Sequence, residues 1–243
     1  RDGGLRQNPL GGGVGGLAIM MIVVNQADDP DLVEKLAQRV CQLDVEVCGL
    51  AGFRLAQLGR VDAALPLGAR AVEKSRNPIG LSQGVSWYVS ALQERGRIAE
   101  AMRVARRVAD VYSGAGLATL ARAYERMGQF KEAAETYRLI TQRYERPAVE
   151  DEFLLRHAQR HGAPPFEAET QAASNRVFPK GLRRIEAGAS PPAGRGLSLN
   201  NQRLFTIDFR AVGLTHRDSL IAVDGFLVEN EEQFTVILTF ADT

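Results

Sequence analysis

Cys41 and Cys48 are the side chains of this 243-residue sequence best placed for covalent chemistry. They bracket LDVEV, in which Asp44 is an expected N-cap between a helix over 31–43 and the helix that follows, so the two thiols can meet across a helical hairpin. A disulfide forms there if the Cα atoms come within ~7 Å. The alternative is a pair of buried thiols packed as small apolar groups. A bridge would imply an oxidising compartment and a lean towards a cell envelope. His157 and His161 stand four apart, as zinc-binding pairs do on a helix. No Glu adjoins the first and no third ligand suggests itself, so no metal is expected and the pair is assigned to an exposed helix end.

The remaining catalytic patterns are missing. The sequence has no GxSxG, HExxH, Walker loop or paired CxxC. Gly11, Gly13 and Gly16 fit GxGxxG by spacing alone, because a proline precedes them and a strand-like Ile-Met-Met-Ile-Val-Val run follows where a helix is required. Asp224, in the dipeptide Asp224-Gly225 that ends the apolar stretch Ser219–Val223, is better explained by a tight turn than by general-base work. The chain is therefore expected to be no enzyme and to need no cofactor.

Thirty Lys+Arg against 29 Asp+Glu leave a formal charge of +1, so no whole-molecule field points to nucleic acid. Pro9 to Val24 is a 16-residue stretch without charge, including one proline and five glycines, behind Arg1 and Arg6. That falls short of the ~20 residues a spanning helix needs. It is either the remnant of a membrane anchor, giving membrane association, or a Gly-rich arm or strand packed on the body. Residues 1–30 are set apart on this ground.

From Asp31 to about Arg176 apolar residues recur at three- and four-residue spacing, the signature of successive helices. Glycines at Gly59, Gly96, Gly128 and Gly162 are separated by 37, 32 and 34 residues. Two residues after each stands Val61, Ile98, Phe130 or Pro164, and five after stands Ala64, Ala101, Ala133 or Glu167. Leu55, Leu92, Tyr124 and Ala158 come four before. Such a glycine can end a helix in the left-handed conformation, and the alanines let neighbouring helices approach.

This register resembles the tetratricopeptide repeat, most closely in LATLARAYERMGQFKEAAETYRLITQRYERP, with three good repeats and a weak fourth. The resemblance implies a helical-hairpin solenoid over 31–176 whose concave face, lined by the first helix of each pair, binds peptides or partner helices. Carried over, that lining is Phe53, Ser86, Ser90, Arg122, Arg126, Arg156 and Arg160. The arginines would suit a peptide with a free C-terminus or an acidic segment.

The last 67 residues change character. Gly213-Leu214, Asp218, the strand Leu220–Val223, Asp224-Gly225 and a helix Glu231–Phe240 capped by Asn230 resemble a bacterial-type PDZ domain over 177–243. The resemblance implies a carboxylate-binding loop at Gly196, Leu197, Ser198 and Leu199, and a groove completed by Glu231, Thr235 and Leu238. Ser198 replaces the loop's second glycine and Arg217 the glycine before Asp218. A closing strand expected after the second helix has no room before Thr243, so this domain is expected to be incomplete.

The fold class expected is thus mostly α, a tetratricopeptide-like solenoid with a small α+β PDZ-like domain at its C-terminal end. The function expected is a non-enzymatic adaptor in a larger protein assembly, binding other proteins and no nucleic acid. The alternative is the regulatory or substrate-binding portion of an envelope protease whose catalytic domain lies outside this sequence.

Overall fold

Leu17, Met20, Met21 and Val24 recur at helical spacing, and in the computed structural model they form one face of helix α1, Val14–Gln26. This corrects the expected arm or strand: β-branched residues in IMMIVV lose to a helix because that face packs against the core, with Val24 fully buried. Among the described residues no helix is long and apolar enough to cross a membrane. The structure describes residues 14–145, 147–179, 181, 197–198, 219–220, 222–223 and 226–241. Gly11 and Gly13 lie outside them, and Gly16 is within α1.

The described chain is mostly helical with very little strand, and it divides into two compact units, Arg1–Leu139 and Ile140–Thr243. In the first, α1 is followed by α2 (Pro30–Leu43), a 3-10 turn at Val45–Val47, α3 (Cys48–Gln57) and α4 (Val61–Lys74). Next come α5 (Pro78–Gly84), α6 (Ser86–Glu94), α7 (Ile98–Ala109) and α8 (Gly114–Arg126). Helix α9, Phe130–Tyr144, runs across the division between the units.

The spaced glycines fold as their spacing requires. Gly59, Gly96 and Gly128 have φ of 77°, 72° and 70°. In each case the residue after the glycine donates its N–H to the carbonyl five back: Arg60 to Leu55, Arg97 to Leu92 and Gln129 to Tyr124, at 2.9, 2.9 and 3.0 Å. This hydrogen bond satisfies a carbonyl the helix end would otherwise leave open, and it turns the chain into the next helix. Helices α3 and α4 pack as a hairpin, as do α6 and α7. Each second helix also packs on the first helix of the following pair, α4 on α6 and α7 on α8. Ala64, Ala101 and Ala133 are fully buried.

The first helix of the second hairpin is broken in two at Val85, which the periodicity does not reveal. Gly84 ends α5, and its carbonyl and that of Gly49 both accept from the indole N–H of Trp87 at 2.9 Å. A Cβ on Gly49 would stand 3.0 Å from the Gly84 oxygen, so glycine at 49 lets the two backbones approach this closely.

The second unit contains α10 (Pro147–His161), α11 (Glu167–Val177) and α12 (Glu231–Ala241), with α10 packed on both of the others. Strand β1 (Leu197–Ser198) pairs antiparallel with β2 (Ser219–Leu220), and β3 (Ala222–Val223) with β4 (Phe226–Leu227), Val223 opposite Phe226. Of the single strand expected before Asp224-Gly225, Ser219–Leu220 and Ala222–Val223 form strands of two separate sheets, while Ile221 and the turn dipeptide lie outside the described residues, as do Gly213, Leu214, Arg217 and Asp218. Asn230 caps α12 as the sequence expects, its Oδ1 accepting from the Gln233 N–H at 2.9 Å. Gln233 in turn accepts from the Glu229 N–H and donates to the Val177 carbonyl, tying the start of α12 to the end of α11.

Candidate peptide-binding face

In the first unit α3 lies beside α5 and α6, and these lie beside α8. On α3, α6 and α8 the residues expected to line a concave face are exposed or half-buried. Phe53 on α3 is 42% exposed, with Leu50 one turn before it at 49%. Ser86 and Ser90 on α6 are half-buried, and Arg122 and Arg126 on α8 are exposed. Arg126 donates from Nη1 to Ser90 Oγ, which fixes α8 against α6 and leaves the guanidinium at the surface. From α3 through α6 to α8 these residues are apolar, hydroxyl-bearing and basic in turn.

Arg156 and Arg160 belong to the second unit. Arg156 is half-buried and paired with Glu152 at 2.9 Å one turn earlier, and Arg160 is exposed. Of the groove expected near the C-terminus, Leu197 and Ser198 form β1, Thr235 is exposed on α12 and Leu238 is half-buried. Glu231 opens α12, with its side chain outside the description, and Gly196 and Leu199 lie outside the described residues.

Cys41, in the last turn of α2, and Cys48, opening α3, are joined by a disulfide with Cα atoms 4.6 Å apart, and both are buried. Asp44 does cap, but it caps the 3-10 turn, accepting from the Glu46 N–H at 2.9 Å, and that turn carries the chain round so that the two sulfurs meet. Closing so short a loop removes conformations from the unfolded chain, worth roughly 2–3 kcal/mol. Thiol titration of the unfolded, unreduced protein should accordingly count no free thiols. Replacing both cysteines by alanine should lower the unfolding free energy by about that amount. Two titratable thiols in protein taken from its native compartment would refute the bridge.

Two groups of this unit have shifted acidities. The Ser75 hydroxyl and the Arg76 N–H, 2.5 and 2.7 Å from the Glu46 carboxylate, hold it below the ordinary carboxylate range. Burial, and then the neighbouring Glu100 carboxylate, push the Tyr88 hydroxyl above its ordinary value. Both are accounted for by anchoring one helix to another.

The histidine expectation needs correction. His157 is buried, its ring centroid 5.2 Å from Phe166 and 6.0 Å from Phe153, whereas His161 is exposed. The His157 face of α10 is turned inward by packing on α11, and Phe166 closes over it. Among the described residues no three His, Cys, Asp or Glu side chains are grouped to hold a metal.

A groove between α2 and α4, with Arg70 in its wall, has no counterpart in the motif reading. It lies between two helices of different hairpins, which no residue spacing announces. Set against models of known protein families and against curated protein sequences, the chain matches none.

Proposed function

We propose that the protein is a non-enzymatic adaptor in which a tetratricopeptide-like array holds an extended acidic peptide, followed by a PDZ-like domain that engages a second partner. The observation that carries this is the uncovered face across α3, α6 and α8, graded from Phe53 to Arg122 and Arg126. An apolar anchor at one end and two guanidinium groups at the other suit a segment with one large side chain followed by carboxylates. The disulfide suits work in an oxidising compartment.

A fluorescein-labelled peptide with a leucine followed by four Asp and Glu residues tests this on the full chain. It should bind saturably. Reversing both charges, Arg122→Glu with Arg126→Glu, should weaken binding by about tenfold, since two exposed ion pairs contribute up to ~1 kcal/mol each. Unchanged affinity in the folded double variant, or no saturation at millimolar peptide, would sink the reading.

A further inference from the structure

We propose that the outer side of the α1–α2 hairpin is a docking surface for a helix of a partner protein, one with small residues along its contact stripe and acidic residues beside it. The inference does not depend on the function proposed above, which uses α3, α6 and α8.

The hairpin α1–α2 repeats α3–α4. A shift of 31 residues carries the bounds of α2, Pro30–Leu43, onto those of α4, Val61–Lys74, and the end of α1 at Gln26 onto the end of α3 at Gln57. Val24 and Leu55 correspond on this shift, as do Val33 and Ala64, and all four are fully buried. A further shift of 37, the distance from Gly59 to Gly96, carries the end of α3 onto that of α6 at Glu94 and the start of α4 onto that of α7 at Ile98. Helix α2 packs on α3 as α4 packs on α6. The three hairpins therefore share one register, and α1–α2 stands first among the described residues.

The later hairpins show which positions meet the hairpin before. Tyr88 on α6 faces α4, where a Cβ on Gly68 would run into its ring. On α4, Ala63 and Leu67 line the groove opposite Gln38 and Cys41 of α2. Tyr88 is buried and so is its equivalent Ala51, and Leu67 and its equivalent Val104 are buried too. On the same register the first hairpin has Met20 for Tyr88, Leu36 for Leu67 and Leu32 for Ala63, with Leu17 where Cys48 and Val85 are fully buried. Leu17, Met20 and Leu36 are half-buried, and Leu32 is 42% exposed. An end hairpin that faces water needs a polar outer side. This one keeps large apolar residues in the places that meet another hairpin elsewhere in the array.

The array also defines the occupant. The element that meets Tyr88 is the second helix of the preceding hairpin, whose buried stripe includes the small residues Ala64, Gly68 and Ala71. Met20 is likewise large, so a helix covering it needs a small residue opposite. Lys35 and Arg39, exposed one turn apart on α2 at helical spacing from Leu32 and Leu36, flank the apolar patch. Asp31 is held by Arg60 and Glu34 accepts from Gln38, which leaves these two cations for carboxylates on the partner. A second copy docked by the same face would set the cations against one another. A flat bilayer would reach Leu32 and leave the more recessed Leu17, Met20 and Leu36 uncovered.

The test is fluorescence anisotropy of the full chain with a labelled, hydrocarbon-stapled helical peptide of roughly 15 residues, about the length at which a lone helix becomes marginally stable. Its contact stripe is Ala, Gly and Ala at helical spacing with Glu on either side, and a control peptide has Phe for the Gly. The first should bind saturably and the control at least about tenfold more weakly, because a ring there overpacks against Met20. Leu32→Glu should weaken binding by about tenfold or more, and Lys35→Glu with Arg39→Glu by about tenfold, since two exposed ion pairs are lost. Arg122→Glu with Arg126→Glu should leave this affinity unchanged, which separates the surface from that of α3, α6 and α8. Should Leu32→Glu fail to fold, the comparison of the two peptides on the unaltered protein still decides. No saturation at millimolar peptide, equal binding of the two peptides, or undiminished binding to folded Leu32→Glu overturns the proposal. So does self-association in sedimentation, or flotation with phosphatidylserine vesicles, that Leu32→Glu abolishes, because the face then belongs to a second copy or to a bilayer.

Discussion

Gly116→Ala should destabilise the protein by about 3 kcal/mol, at or beyond the upper end of what overpacking normally costs. Helix propensity alone gives the opposite sign, since alanine is favoured over glycine in a helix by up to ~1 kcal/mol. The difference lies in what the methyl group would meet. Gly116 is buried in the first turn of α8, and a Cβ there would fall far inside contact distance of the Val108 carbonyl oxygen and 2.8 Å from its carbonyl carbon. Those are backbone atoms near the end of α7, so no rotamer change relieves the clash. Relief requires α8 to move away from α7, and α8 is held in place from both ends. Ser113 caps it, its Oγ within reach of the Gly116 N–H and 2.8 Å from Ser82 Oγ on α5, while Arg126 is tied to Ser90 on α6. Urea denaturation measures the outcome. A variant as stable as the parent, or more so, would show that α7 and α8 do not approach as described.

The contrast with Gly59, Gly96 and Gly128 explains what could be read in advance. A Cβ at any of these three meets nothing within 4 Å, so they are glycine for conformation, and conformation at a helix end recurs with the repeat. A repeat is visible in sequence, and the register of hairpins, the buried Ala64, Ala101 and Ala133 and the cap at Asn230 all follow from it or from local chemistry. Gly52, Gly68 and Gly116 are glycine for space, facing Trp87, Tyr88 and the α7 backbone across the interior. Their partners lie 35, 20 and eight residues away, and no spacing rule connects them. The break at Val85 follows Gly84, and the Trp87 indole bridging the Gly84 and Gly49 carbonyls there is a long-range contact no spacing announces.

Among candidate sites the division is similar. Phe53, Arg122 and Arg126 come from the tetratricopeptide resemblance, and all three are exposed on α3 and α8. His157 could not be placed, since four-residue spacing puts it on the same face as His161 without saying how far along the helix the next element covers that face. Phe166, five residues beyond His161, covers the first and leaves the second exposed.

Arg176→Ala should cost about 3 kcal/mol, more than an ion pair with one exposed partner normally contributes. Asp151 on α10 is 1% exposed, and its two carboxylate oxygens accept from Arg176 Nε at 3.0 Å and Nη2 at 2.5 Å. Both bonds run between α10 and α11, so the pair also fixes how those two helices meet. Arg176 is half exposed, and removing it leaves a buried carboxylate without its fork, which is the expensive half to strand. Asp151→Ala strands only a guanidinium that water can reach, and should cost less, about 1–2 kcal/mol. The hydrogen bond to Asp151 is the main cause that raises the arginine's pKa above its ordinary value. A raised basic pKa gives stability that is fully present below the arginine's ordinary value and lost only as pH rises through the raised one, so the arginine's own titration adds no pH dependence near neutrality. The order of the two variants is the decisive result. If Asp151→Ala proves as damaging as Arg176→Ala, or more so, the carboxylate is not the buried partner and the packing of α11 on α10 must differ from that described.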